Sequence, residues 1–262
     1  MYRLKREDFL RKRYVTLWAV LAFQAGFINS FGFLACQRFV SHVTGFGTQV
    51  GLALGAGDLL LMFEMCGTPL FFILGAFASG IFTIARIDHG KKPYYNFVAY
   101  SMPILLGICL VIGSLGYFGE FKEAVLHDHD FALLFSLSFF CGMQNGCFAT
   151  MTQGQIRTTH LTGICTDLGS DLSRMFFGKP SDEELKTLKM SNVSRLATLG
   201  GFALGAIVSA LVDGWLNYQA LFIPLVTSIG VCVAMSFIRR KLDLDFMRDN
   251  GFPNNLVQAG RR

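Results

Sequence analysis

Six long apolar runs dominate the sequence, and each is close to the length that crosses a lipid bilayer. They cover residues 15–36, 66–87, 97–118, 131–150, 196–215 and 220–238. About 20 apolar residues in a helix span the hydrocarbon core, where no water is present to bond an exposed backbone. Only 16% of the residues are charged, against about a quarter in soluble domains. The sequence therefore predicts an all-α membrane protein with about six transmembrane helices, forming a single domain over residues 1–238.

Two further apolar segments, residues 43–55 and 161–178, differ from the six spans. The first has only about a dozen residues before Gly55-Ala56-Gly57-Asp58 interrupts it, and Asp58 is a good N-cap for the next helix. The second carries Asp167, Asp171 and Arg174, which are too polar to face lipid. We interpret both segments as short or re-entrant helices inside the protein.

One passage occurs twice in the chain. Residues 25–30 and 41–48 return as residues 141–146 and 159–166, with Asn, His and Thr-Gly at matching places. The repeat predicts two related halves, about 14–118 and 131–238. Duplicated halves with interrupted apolar helices are typical of transporters, whose binding site lies where the halves meet near the membrane midplane.

The basic residues favour one topology. If six helices cross and the two short segments return to the side they entered, 21 of the 23 Lys and Arg residues share one side. Because short cytoplasmic loops accumulate Lys and Arg, this side is predicted to be cytoplasmic and to hold both termini, including a basic tail of residues 239–262. The halves are then inverted. Eight crossing segments remain the alternative, with parallel halves and a poorer charge distribution.

The repeated Thr-Gly pairs, Thr44-Gly45 and Thr162-Gly163, are the first candidate binding residues. Each pair precedes a short apolar helix, whose free N–H groups and positive dipole end can bind an anion or a polar oxygen. Asn29 and Asn145 lie within spans, where an amide must find a partner, and are candidate solute contacts. The alternatives are simple helix capping and close packing for the Thr-Gly pairs, and interhelical hydrogen bonds for the asparagines.

Two further pairs are candidate coupling or gating residues. His42 and His160 are equivalent in the repeat, so they could relay a proton, although a polar helix cap is the alternative. Asp167 and Asp171 share one face of the second short helix, and Arg174 is the positive residue nearest in sequence. We expect no cofactor and no metal site, since His127-Asp128-His129-Asp130 is interpreted as a solvated loop and the seven cysteines form no ligand pattern.

These motifs resemble the YoaK family of bacterial inner-membrane proteins, a domain of unknown function. The resemblance rests on residues 27–30, Val43-Thr44-Gly45, residues 49–54, residues 142–145 and residues 157–163, and it covers roughly residues 15–238. It implies a multi-spanning protein of the bacterial inner membrane and a transporter, with no substrate or catalytic residue supplied.

The sequence predicts a transporter or channel for a small polar or anionic solute. A non-transporting sensor or interaction protein is the alternative. An intramembrane enzyme is less favoured because the chain has no hydrolase, nucleotide or metalloprotease motif, and Cys165 is the one nucleophile near the repeat. Expected partners are the lipid bilayer and a small molecule or ion. No nucleic acid is expected, since topology explains the positive charge, and a homo-oligomer is left open.

Overall fold

A computed structural model describes residues 2–5, 8, 10–121 and 128–249, with the backbone alone at 128–130 and 249. All regular secondary structure in these ranges is helical. The helices are α1 (Lys12–Cys36), α2 (Val43–Gly55), α3 (Leu59–Phe82), α4 (Ile84–Asp88), α5 (Tyr95–Ser114), α6 (Asp128–Met151), α7 (Leu161–Phe177), α8 (Asp182–Leu216) and α9 (Phe222–Asp249), with a 3-10 turn, Asn217–Leu221, before α9. The predicted all-α fold is confirmed.

Five segments of the described chain are long and apolar enough to cross a membrane. They are Lys12–Cys36, Leu59–Asp88, Tyr95–Ser114, Phe131–Met151 and Asp182–Arg248. The last segment contains both α8 and α9, which the 3-10 turn joins. The described residues therefore contain six long helices, in agreement with the predicted six spans, and the helices α2 and α7 are the two predicted short ones.

The local signals at the helix ends are partly as predicted. Asp58 caps α3, since its side chain accepts a hydrogen bond from Leu61 N at 3.0 Å. Ser181 and Glu184 form a reciprocal capping box at the start of α8. Helix α8 starts earlier than the predicted fifth span, residues 196–215, because it runs without a break through 35 residues from Asp182. The cluster His127–Asp130 lies outside the described side chains.

The closest helix partners come from opposite halves of the chain: α1 packs on α8, α3 on α6, and α5 on α9. Each of the first two crossings contains two copies of a Phe-x-x-Gly motif. The four copies are Phe23–Gly26, Phe72–Gly75, Phe139–Gly142 and Phe202–Gly205. In every copy the glycine faces the backbone carbonyl of the phenylalanine in the copy on the partner helix. Small residues allow the backbones of two membrane helices to approach this closely. The α1–α8 crossing is therefore a copy of the α3–α6 crossing.

The distances show how tight these crossings are. A Cβ atom at Gly26 would lie 2.0 Å from Phe202 O, and a Cβ atom at Gly205 would lie 1.9 Å from Phe23 O. At the other crossing, a Cβ atom at Gly142 would lie 1.9 Å from Phe72 O, and one at Gly75 would lie 2.0 Å from Phe139 O. No side chain larger than hydrogen fits there without separating the helices.

Contacts along the helices give their directions. Gln144 bonds the carbonyl of Leu21 while Gly32 lies against Leu137, so α1 and α6 run antiparallel. Gly201 and Gly205 of α8 face Ala19 and Phe23 of α1 in the same order, so α8 runs parallel to α1. By the same reasoning α3 runs parallel to α6.

One end of the helix bundle gathers both ends of the described chain, and we call it the terminal face. Leu4 N donates to Met151 O at 2.9 Å, and the ring of Tyr2 stacks on Phe246. Here α1 begins and α6 and α9 end. Since α1 ends and α3 begins at the opposite face, α2 enters and returns there, whereas α7 enters and returns at the terminal face. The two short helices are therefore re-entrant from opposite faces.

Candidate functional site

The first re-entrant turn, residues 37–42, is held by one amide. Asn29 Oδ1 accepts hydrogen bonds from Val40 N at 3.2 Å, Ser41 N at 3.0 Å and Ser41 Oγ at 3.0 Å. Asn29 lies two turns before the end of α1, which corresponds to a depth of about 10 Å. The chain therefore returns to this depth before α2 begins.

The second re-entrant turn, residues 152–160, is held in the same way. Asn145 Oδ1 accepts from Thr158 N at 3.0 Å, while Asn145 Nδ2 donates to Cys141 O at 2.8 Å and to Thr159 Oγ1 at 3.0 Å. Asn145 is buried. Both predicted asparagines thus shape the turn of their own half, an arrangement that sequence reasoning did not foresee.

The residues that begin the short helices differ from the prediction. The N-cap residues are His42 and His160, whereas Thr44 and Thr162 lie in the first turn of the helix. The His42 ring covers Gly45, where a Cβ atom would lie 2.5 Å from Nδ1. The His160 ring covers Gly163 in the same way, at 2.9 Å. Both glycines are therefore needed to make room for the histidine rings.

The first amide groups of these helices are available to a ligand. The first helical hydrogen bonds run from Phe46 N to His42 O at 3.1 Å and from Ile164 N to His160 O at 3.4 Å. Neither histidine side chain caps its helix. The three preceding N–H groups in each helix therefore point out of the helix start, as at any uncapped N-terminus.

The two candidate ends, at Thr44 and at Thr162, are not brought together. Within the described residues, α2 packs on α3 and α7 packs on α8, and the two short helices share no extended contact. Thr44 and Thr162 are both exposed. The structure thus contains two matching helix starts, each nearer to a different end of the bundle.

The exposed face of α7 is polar in its first three turns, and exposed apolar side chains appear only near its C-terminal end, at Leu172, Phe176 and Phe177. This face carries Thr162, Cys165, Thr166, Asp167, Gly169, Ser170 and Ser173, and no residue of α7 is buried. The exposed residues of α2 include Thr44, Thr48 and three glycines, beside which a Cβ atom would meet nothing within 4 Å, as well as three apolar residues; the glycines are Gly47, Gly51 and Gly55, and the apolar residues are Val43, Leu52 and Leu54. Polar groups at membrane depth face water or protein rather than lipid.

Asp167 and Asp171 are both engaged by Arg195 of α8, which the sequence analysis missed. Arg195 Nη1 pairs with Asp171 Oδ2 and donates to Asn192 Oδ1 at 2.9 Å, and Arg195 Nη2 lies 3.6 Å from Asp167 Oδ2. The side chains of Asp171 and Arg195 are only 15% and 20% exposed, whereas that of Asp167 is 63% exposed. Arg174, the expected partner, instead lies 3.8 Å from Glu184.

A small polar cavity of about 40 Å³ adjoins this cluster. It is lined by Gln155, Arg157, Asp167, Ser194, Arg195 and Thr198, among others. Ser194 is 2% exposed and its Oγ has no hydrogen-bond partner among the described atoms. A cavity of this size and polarity holds one or two waters or a small ion.

Replacing Arg195 with methionine tests the role of this ion-pair cluster. Met65 occupies the position of α3 that is equivalent to Arg195 in the repeat, so a methionine side chain suits this position. Because Asp171 would lose its partner, we expect Arg195→Met to lower the free energy of unfolding by about 2 kcal/mol, below the value for fully buried pairs. Denaturant unfolding in mixed micelles measures the change.

Two further variants are compared with Arg195→Met. Asp171→Asn in the same chain should restore part of the lost stability, because it removes the unpaired charge. Arg174→Met should change stability by less than about 0.5 kcal/mol, since both partners of that pair are exposed. Equal losses for Arg195→Met and Arg174→Met would refute a structural role for the cluster.

Two glutamines place further polar groups in the bundle core. Gln24 Nε2 donates to Pro224 O at 3.1 Å and to Ser228 Oγ, and Gln144 Nε2 donates to Leu21 O at 3.1 Å and Thr158 Oγ1 at 2.9 Å. Both side chains are buried, and both Oε1 atoms have no hydrogen-bond partner in the described part of the chain. Buried acceptors of this kind commonly bond a water or a ligand.

Six long, mostly apolar helices, two short helices and an apolar core with a few buried polar side chains define a multi-spanning helical membrane protein. The family comparison agrees: residues 17–234 match the family described as Protein of unknown function (DUF1275), and the chain belongs to that family. It is similar to the UPF0700 transmembrane protein YoaK of Bacillus subtilis (strain 168), with 25% identity over 218 residues, which cover 82% of this chain and 91% of the relative. No solved structure matches the chain.

Proposed function

We propose that this protein carries a small polar or anionic solute across the membrane. The observation that carries the proposal is the matched pair of re-entrant helices, which enter from opposite faces and begin at turns held by Asn29 and Asn145. Irregular backbone at membrane depth is tolerated where it lines a cavity or contacts protein. In secondary transporters, such helix starts bind the solute.

The relation between the halves supports this proposal. We infer that they form an inverted repeat, because the equivalent helices α1 and α6 run antiparallel and the Phe-x-x-Gly crossings are copied between the halves. Two inverted halves can exchange conformations, so that each opens its site to one face in turn.

The electrostatics at the helix starts support a polar or anionic solute. The free N–H groups around Thr44-Gly45 and Thr162-Gly163 carry the positive end of the helix dipole. The exposed His42 and His160 lie beside them and would add positive charge when protonated. We infer that Asp167, which is exposed on α7, couples a proton or a cation.

We place the terminal face in the bacterial cytoplasm, because the described basic residues concentrate there. In a variant whose exposed Cys66 and Cys165 are replaced by serine, a cysteine introduced at Glu120, near the opposite face, should then react with a membrane-impermeant maleimide added to intact spheroplasts. Labelling only after the membrane is broken would reverse the orientation.

Removing the two hydroxyls at the helix starts tests the site. Wild-type protein in detergent is screened by thermal shift against small anions, amino acids and cations, since a bound ligand raises stability by RT ln(1 + [L]/Kd). We expect a stabilising solute for the wild type and at least a tenfold higher Kd for Thr44→Val with Thr162→Val. Uptake of that solute into proteoliposomes should fall in parallel.

The matched control is Thr48→Val with Thr166→Val, one turn further along each helix. These hydroxyls bond Thr44 O and Thr162 O inside their own helices, at 3.3 and 3.0 Å, so solute affinity should be unchanged. If both double variants bind equally well, the site lies elsewhere. Binding without uptake would instead favour a sensor.

A further inference from the structure

A large groove opens at the terminal face between the start of α1 and the end of α9. Its volume is about 880 Å³, and the N-terminal segment closes one side. Ligand sites in proteins commonly have volumes of about 300–1,000 Å³. The groove is separate from the re-entrant turns, so its occupant need not be the transported solute.

The groove carries a strong positive charge. Six basic residues line it, Lys5, Arg11, Arg13, Arg240, Lys241 and Arg248, against two acidic residues, Asp8 and Asp245. Asp8 is already engaged, since its Oδ1 lies 2.6 Å from Lys241 Nζ and 3.4 Å from Arg11 Nη2. Among the described residues, Arg13, Arg240 and Arg248 form no ion pair with a carboxylate. These three exposed guanidinium groups are available to an anion.

The side of the groove toward the bilayer is apolar. Leu17 of α1 and Ala234, Phe237 and Ile238 of α9 line it at the boundary where the apolar part of each helix ends. Phe237 is 67% exposed, so most of its ring is left uncovered by the described residues. Tyr14 lies between the two regions, with its ring 4.9 Å from the Arg13 guanidinium carbon. A ligand that fills the groove therefore needs an anionic head and an apolar tail.

We propose that this groove binds one anionic phospholipid. Its phosphate lies among Arg13, Arg240 and Arg248, and its acyl chains run along Phe237 and Ala234. Basic pockets between transmembrane helices bind anionic lipid head groups by this chemistry. A bound lipid would link the start of α1 to the end of α9, helices that belong to opposite halves.

Native mass spectrometry of the purified protein tests the site with two lipids of identical chains. Dioleoylphosphatidylglycerol should bind at least tenfold more tightly than dioleoylphosphatidylcholine. The variant with Arg13→Gln, Arg240→Gln and Arg248→Gln should lose this preference, because each basic residue near an anionic lipid surface contributes roughly a fivefold gain in affinity. The three side chains are exposed, so the lipid-free melting temperature should equal that of the wild type.

The control variant carries Lys179→Gln, Lys186→Gln and Lys189→Gln, which remove three exposed charges outside the groove. It should keep the full preference for phosphatidylglycerol. Equal loss in both variants would mean that total charge, not the groove, attracts the lipid, and would overturn the proposal. Displacement of the lipid by millimolar glycerol 3-phosphate would also overturn it, since the groove would then be a site for a soluble phosphate.

Discussion

Replacing Gly205 with alanine is expected to prevent stable folding, whereas the same change five residues earlier is expected to be harmless. A Cβ atom at Gly205 would lie 1.9 Å from Phe23 O and 2.9 Å from Phe27 N, both backbone atoms that no side-chain rotation can move. Helix α8 would have to move away from α1, its closest partner. We expect a loss of more than about 3 kcal/mol, beyond the usual cost of overpacking a core.

Gly200 supplies the matched control in the same helix. A Cβ atom there would meet nothing within 4 Å, and alanine is favoured over glycine in a helix by about 1 kcal/mol. Gly200→Ala should therefore keep or raise the melting temperature, while Gly205→Ala should elute as aggregate in size-exclusion chromatography. The equivalent changes at Gly26, Gly75 and Gly142 should behave like Gly205→Ala. A stable, monodisperse Gly205→Ala protein would mean that the helices do not cross this closely.

Changing each asparagine of the re-entrant turns to aspartate is expected to affect the two halves unequally. All three hydrogen bonds that Asn29 makes to its turn use Oδ1 as acceptor, which a carboxylate can replace. Asn145 also donates through Nδ2 to Cys141 O at 2.8 Å, where a carboxylate oxygen would be repelled. We expect Asn145→Asp to lower the free energy of unfolding by about 3 kcal/mol and Asn29→Asp to lower it by about 1 kcal/mol. A buried polar group that loses its hydrogen-bond partner is more costly than one whose hydrogen bond is kept by a new acceptor.

Both variants should be measured by thermal unfolding and by proteolysis of the re-entrant turns. Asn145→Asp should expose the turn at residues 152–160 to protease at temperatures where Asn29→Asp remains protected. Asn29→Ala removes the acceptor of the first turn. This variant should therefore be destabilised about as much as Asn145→Asp. Equal stability of all three variants would show that these amides do not hold the turns.

The sequence was sufficient for the elements that depend on local properties. Helix length and hydropathy predicted six spans, and the glycine and aspartate interruption at residues 55–58 predicted where α2 ends. The Asp58 cap follows from neighbouring residues and was also predicted. The extent of α8 was missed because the change from a charged to an apolar surface suggests a boundary, although no glycine or proline interrupts residues 182–199.

Features that depend on contacts between distant segments were not predictable. Thr44 was a candidate helix cap because threonine favours that position, but the hydrogen bonds that Asn29 Oδ1 accepts from residues 40 and 41 hold the turn, and His42 is the N-cap. Arg195 was overlooked because it lies 24 residues after Asp171 along the chain. The four Phe-x-x-Gly motifs were visible in the sequence. A search for phenylalanine and glycine three residues apart would have found them.

The exchange of helix partners between the halves also affects how the chain is made. During synthesis, α1 and α3 enter the membrane before α6 and α8 exist, so the glycine faces of the first half have no partner until the second half emerges. The first half cannot complete its packing alone. Assembly in the membrane must therefore wait for nearly the whole chain, and the early helices depend in the meantime on lipid or on the insertion machinery to occupy their open faces.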